Sequence, residues 1–149
     1  MPSLKTNPEP FHAETVAEQS AEAREAEYTR LRDTHALALR VQAPTIQAQI
    51  ASLQDLCNSW FTNVQGFNRN NFDGDVMLIV TELGEAIEAD RAGVKSDKIP
   101  QFDGREEELA DALVRLLHTA AKYNIRLGPA FVAKMEYNLT RPFKHGKKY

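Results

Sequence analysis

Val76-Met-Leu-Ile-Val-Thr-Glu-Leu-Gly-Glu-Ala-Ile-Glu88 decides the fold of this chain. Val76, Ile79, Val80, Leu83 and Ile87 recur at the intervals of one helix face, whereas Glu82, Glu85 and Glu88 fall on the other side. The spacing predicts a helix that begins near Asp73 or Asp75, where an acid favours the positive end, and stops at Gly93. Glu82 and Glu85 lie on neighbouring turns, so their carboxylates can aim at a common point. Gly84 between them costs about 1 kcal/mol relative to alanine inside a helix. Close approach of another backbone or of a ligand would explain it.

A second acid pair follows in Glu108-Leu-Ala-Asp111. Its helix should start near Arg105, with Glu106 and Glu107 complementing the N-terminal dipole and Leu109, Leu113, Leu116 and Ala120 forming the apolar stripe. Packed antiparallel, the two helices would bring four carboxylates together. Such charges repel strongly unless a cation sits among them, and an all-oxygen, anionic set suits the hard ions Mg²⁺ or Mn²⁺. A site of that kind usually serves phosphate chemistry.

Outward from these helices the pattern stays helical. Thr45 is a plausible N-cap for a helix carrying Ile46, Ile50, Leu53, Cys57, Trp60 and Val64, and Gln65 to Asp75 reads as a loop. Val94 to Gly104 reads as a second loop. Gly128-Pro129 opens a last helix with Phe131, Val132, Met135 and Leu139 as its core face, limited by Pro142. Lys134, Asn138 and Arg141 share one side of it, a grip for a polyphosphate. Upstream, residues 1–12 form a proline-containing arm, and Ala13 to Val41 is an Ala/Glu-rich helix with a weak apolar face, broken off by Pro44. No run of alternating β-branched residues competes with these helices. The fold class is therefore all-α: an arm and helical extension over 1–43, then a four-helix domain over 44–149 with a basic tail.

Composition narrows the function. The 149 residues carry a net charge of −3, so no global basic field attracts nucleic acid or an anionic membrane. No stretch approaches the roughly 18 apolar residues that span a bilayer. Cys57 is the single cysteine, which excludes an internal disulfide and a Cys-based zinc motif. A soluble, cytoplasmic protein is expected. His12, His35, His118 and His145 form no Glu-x-x-His pattern, which counts against a ferritin-like di-iron bundle. Arg115 follows Asp111 by one turn as an ordinary intrahelical partner. A Gly-rich phosphate loop is missing, so phosphates must be held through metal and side chains.

Taken together, Trp60 with Gly66-Phe67, the block Leu78 to Glu88, the block Glu106 to Asp111, and the ending Lys134 to Asn138 with Arg141 to Tyr149 resemble the MazG-like all-α nucleoside triphosphate pyrophosphohydrolases, especially the short forms of phages and bacteria. The resemblance covers roughly Ala43 to Tyr149. The family pattern is Glu-Glu-x-x-Glu, a spacer, then Glu-x-x-Asp; Glu82, Glu85, Glu108 and Asp111 match four of its acids, and Thr81 stands where the first glutamate would be. What the resemblance implies is Mg²⁺-dependent cleavage of (d)NTPs between the α and β phosphates, giving (d)NMP and pyrophosphate in nucleotide-pool control. Glu82, Glu85, Glu108 and Asp111 would then be the metal ligands, with Glu82 or Glu85 accepting the proton of the attacking water. Lys134, Asn138 and Arg141 would hold the phosphates, Lys144, Lys147 and Lys148 could close over them, and Trp60 and Phe67 are candidates to stack on the base. The family's habit implies a homodimer or homotetramer, in the host cytoplasm if the chain is phage-encoded. A non-catalytic helical module that binds nucleotide or a protein is the competing reading.

Overall fold

The computed structural model describes residues 21–142, with side chains from residue 23. Four α-helices make up the fold: α1 (Ala21–Asn58), α2 (Phe72–Ala92), α3 (Gly104–Lys122) and α4 (Leu127–Leu139). A π-helical segment, Ser59–Val64, extends α1. The described residues contain no strand, only an isolated bridge between Lys95 and Asp103. The all-α class read from the sequence is the one observed.

The local chemistry sets the ends. At α2, the Asn71 side chain accepts from the backbone N–H of Gly74, with Asp73 and Asp75 in the first turn and Gly93 closing the helix at φ 61°. Such a positive φ strains any residue with a Cβ. At α3, Asp103 and Glu106 form a reciprocal capping box, with Asp103 N–H donating to Glu106 Oε2 at 2.8 Å and Glu106 N–H donating to Asp103 Oδ1 at 3.1 Å. The start of α4 places Pro129 in its first turn, where a missing N–H costs nothing.

Pro44 does not break the chain. It sits inside α1, so the expected extension helix and first domain helix are one continuous element, of which the expected residues 13–20 and the arm lie outside the described part. Proline removes one backbone bond and crowds the preceding turn. The helix is held on both sides of that point by α4, which runs antiparallel to it. Tyr28 Oη donates to the Arg141 carbonyl at 2.5 Å, and at the other end a Cβ on Gly128 would come within 3.1 Å of the Gln47 backbone. One partner helix thus splints the two halves.

The principal packings run α2–α3, α3–α1 and α1–α4. The helices follow one another across the fold, with α3 between α2 and α1, and the resulting core is thin. Its buried apolar side chains are Cys57, Ala86, Ala112, Leu117, Ala120 and Val132, most of them small. The stripes expected to fill the core are only partly covered. On α2, Val76 and Ile79 are half-buried but Val80, Leu83 and Ile87 are exposed; on α3, Ala120 is buried but Leu109, Leu113 and Leu116 are exposed. By helical phase, the uncovered stripes of α2 and α3 lie on one side of their contact and the acids on the other.

Candidate carboxylate site and adjoining cleft

Glu82 faces α3 rather than solvent, at 5% exposure, because α2 packs with its Glu82–Ala86 side inward. It meets Glu108 and Asp111, and one carboxylate oxygen of each of the three lies within 4.8 Å of the others. Glu85, one turn on, is exposed and outside that trio. Its charge still reaches Glu108. Burial first, then sharing of a hydrogen bond with Glu82 and the repulsion of Glu85, push Glu108 up to about 7. The Oε2 atom of Glu108 is buried and takes no hydrogen bond. An unsatisfied buried carboxylate oxygen on a residue grouped with two further acids is a costly arrangement that a bound cation would relieve. Three all-oxygen ligands of this kind are chemically suited to a hard divalent ion.

Two cations already lean on these acids. Arg115 Nε donates to Glu82 Oε1 at 2.5 Å, across the helix pair, so its partner is not the intrahelical Asp111 expected from spacing. Lys98, from the α2–α3 loop, pairs with the buried Glu107 at 2.6 Å and feels Glu108 and Asp111 beyond it. The Lys98 bond, with help from Ser96, holds Glu107 below the usual carboxylate range. Ser96 is itself buried, and its Oγ accepts from the Ile99 N–H at 2.8 Å, so this short loop is built around its polar residues.

Further along the same helix pair the chemistry changes. Antiparallel packing sets Asp75 against Lys122 and Leu78 beside His118, with Glu82 against Arg115 next in line. Phe61, Phe67, Asp75, Leu78, Arg115 and His118 line a cleft of about 160 Å³. The rings of Phe61 and His118 stack at 5.1 Å, and Phe67 approaches Phe61 at 6.0 Å. Burial, with Lys122 nearby, lowers His118 below its ordinary value. Burial opposes ionisation of Asp75, but hydrogen bonds from Lys122 and Tyr123 outweigh it and keep the carboxyl below its usual range.

The remaining candidates sit elsewhere. Lys134 stands 4.7 Å over the ring of Tyr137 on its own helix, and Arg141 offers its carbonyl to Tyr28. Among the described residues, no hydrogen bond or ion pair connects Lys134, Asn138 or Arg141 with the acids, because α4 packs chiefly on α1. Trp60 lies on the π-helical segment at 51% exposure, and Phe67 borders the cleft. Lys144, Lys147 and Lys148 lie outside the described residues. A Cβ on Gly84 would meet nothing within 4 Å, so the close approach expected there is not made among the described residues.

Sequence reading passed over Phe61, Asp75, Lys98 and His118, and assigned Arg115 to the wrong acid. One signal was available: Asp111, Arg115, His118 and Lys122 recur at helical intervals, a polar face continuing from the acid pair. Fold and site together define an all-α protein with an interhelical carboxylate cluster. No family model matches the chain, and no curated protein or solved structure matches it.

Proposed function

We propose that this chain is a MazG-like nucleoside triphosphate pyrophosphohydrolase, cleaving (d)NTPs between the α and β phosphates to give (d)NMP and pyrophosphate in nucleotide-pool control. The observation that carries the reading is the trio Glu82, Glu108 and Asp111, of which Glu108 keeps a buried Oε2 without a hydrogen-bond partner among the described residues. Those three residues would hold Mg²⁺, or Mn²⁺ in its place, with the charge of Glu85 felt from outside the trio. A divalent ion bound there supplies charge neutralisation for phosphate oxygens and acidity for a coordinated water. Glu85, exposed and in no ion pair among the described residues, is better placed than Glu82 to take the water's proton, since Glu82 is buried against Arg115. Arg115 is the guanidinium already at the acids, and it offers its remaining N–H donors to the phosphates.

The uncovered stripes of α2 and α3 support a homodimer or homotetramer. Gly84, open in the single chain, fits a close contact in such an assembly. The test is incubation with each NTP and dNTP plus Mg²⁺ and separation of the products. Monophosphate with pyrophosphate is expected, lost by two orders of magnitude or so in Glu82→Gln and Asp111→Asn. Absence of turnover across the panel, or undiminished turnover in both variants, leaves the non-catalytic binding module as the reading.

A further inference from the structure

The cleft beside the acids has a composition that the hydrolysis itself does not require. Phe61, Phe67, Leu78 and His118 give it aromatic and apolar lining, Asp75 is its one carboxylate, and Arg115 borders it toward the acids. Both hydrogen bonds received by Asp75 land on Oδ2, from Lys122 Nζ at 2.7 Å and from Tyr123 Oη at 2.8 Å. Oδ1 receives none among the described residues. Lys122 is further tied to the Arg69 carbonyl at 2.6 Å, so the carboxylate is held in one orientation by groups that are themselves held. His118 is fixed in the same manner. The Thr62 hydroxyl donates to Asn58 at 2.9 Å, and its oxygen is left to accept from His118 Nε2 at 3.3 Å.

Position matters as much as composition. Asp75 and Glu82 are seven residues apart on α2, about 10 Å along the helix at ~1.5 Å per residue. His118 and Asp111 have the same separation on α3, in the antiparallel sense. A nucleotide can therefore lie along the groove with its phosphates at the acid trio and its base among the rings, with Arg115 between.

We propose that this cleft receives the nucleobase and that Asp75 Oδ1 selects bases carrying an exocyclic amino group, cytosine above uracil. The proposal rests on the nucleotide reading given above and adds its selectivity. A planar base stacks on aromatic faces whatever its identity. Selection then comes from the edge. Cytosine presents a 4-amino donor, the partner that aspartate takes in nucleic-acid recognition. Uracil presents only a ring N–H flanked by two carbonyl oxygens, which a fixed carboxylate repels.

The discriminating pair is dCMP and dUMP, titrated calorimetrically against the full chain with Mg²⁺; neither has the bond to be cleaved, so binding is read apart from turnover. Tighter binding of dCMP by about tenfold or more is expected. In Asp75→Asn the amide can still accept from Lys122 and Tyr123 while turning its NH₂ to the cleft, so the preference should shrink or invert toward dUMP. Phe67→Ala, at an exposed position, should weaken both ligands about equally and keep their ratio. Equal affinities in the wild type, or a ratio unchanged in Asp75→Asn, would overturn the assignment. Pyrophosphate release from dCTP, measured in parallel, separates the two ideas. Its absence with dCMP selectivity intact removes hydrolysis and keeps the cleft, whereas its presence with no selectivity does the reverse.

Discussion

Glu108 concentrates the physics of the site in one carboxyl group. Its pKa is pushed up to about 7 from an ordinary 4.5 by burial, by the hydrogen bond with Glu82 and by the charge of Glu85. A group that holds its proton more tightly when folded stabilises the native state fully below its unfolded value, and that contribution is lost as pH rises through the folded value. The metal-free protein should therefore lose stability between about pH 4.5 and about pH 7 on this account, and Glu108→Gln should flatten the loss, as thermal unfolding at a series of pH values will show. Divalent ions bind the deprotonated form. The rise in unfolding temperature on adding Mg²⁺ should grow from about pH 6 to about pH 8 and vanish in Glu108→Gln. At this scale the sequence was informative about identity and poor about partners. The four acids were legible from spacing alone, but which three converge depended on the rotation of α2 that buries Glu82 and leaves Glu85 outside. Arg115 shows the same limit: one turn from Asp111 in sequence, it reaches across to Glu82 in space.

Individual helices followed local rules closely, with one exception. The stop at Gly93, the start of α3 beside Glu106 and Glu107, and the start of α4 at Gly128-Pro129 were all marked by the residues that cap or terminate helices. Pro44 was read by the same rules as a break, and it is not one, because α4 packs along α1 on both sides of it. Tertiary packing there overrides a local preference worth about 3 kcal/mol in a helix interior. The exposed Pro44 should therefore be a net cost, and Pro44→Ala is expected to stabilise the protein by about 1–3 kcal/mol, read as a raised urea midpoint with an unchanged slope. A destabilised variant would mean that α1 needs the proline's geometry to lie against α4.

At the scale of the whole molecule, the chain leaves more apolar surface uncovered than its small buried core would suggest it can spare. Ile87 and Leu113, each 53% exposed, belong to stripes that periodicity marked for burial. Fully burying one such side chain is worth about 1.5–3 kcal/mol, so two copies placing these stripes together would gain a core neither has alone. Sedimentation should find a dimer or larger assembly of the wild type, and Ile87→Arg or Leu113→Glu should shift it toward monomer by introducing unpaired charge at the contact. A monomeric wild type would remove this face as a self-association surface.

The sequence by itself determined which of the described segments are helical, where most of them end, and which acids share a helix face. These depend on period, capping and composition, which act over a few residues. Only the tertiary structure decided that α1 passes through Pro44, that Glu82, Glu108 and Asp111 converge while Glu85 stands aside, and that Phe61, Asp75 and His118 share a cleft next to them. Each of those outcomes turns on how far one helix is rotated and shifted against another, a quantity set by side chains distant in sequence and invisible to any local pattern.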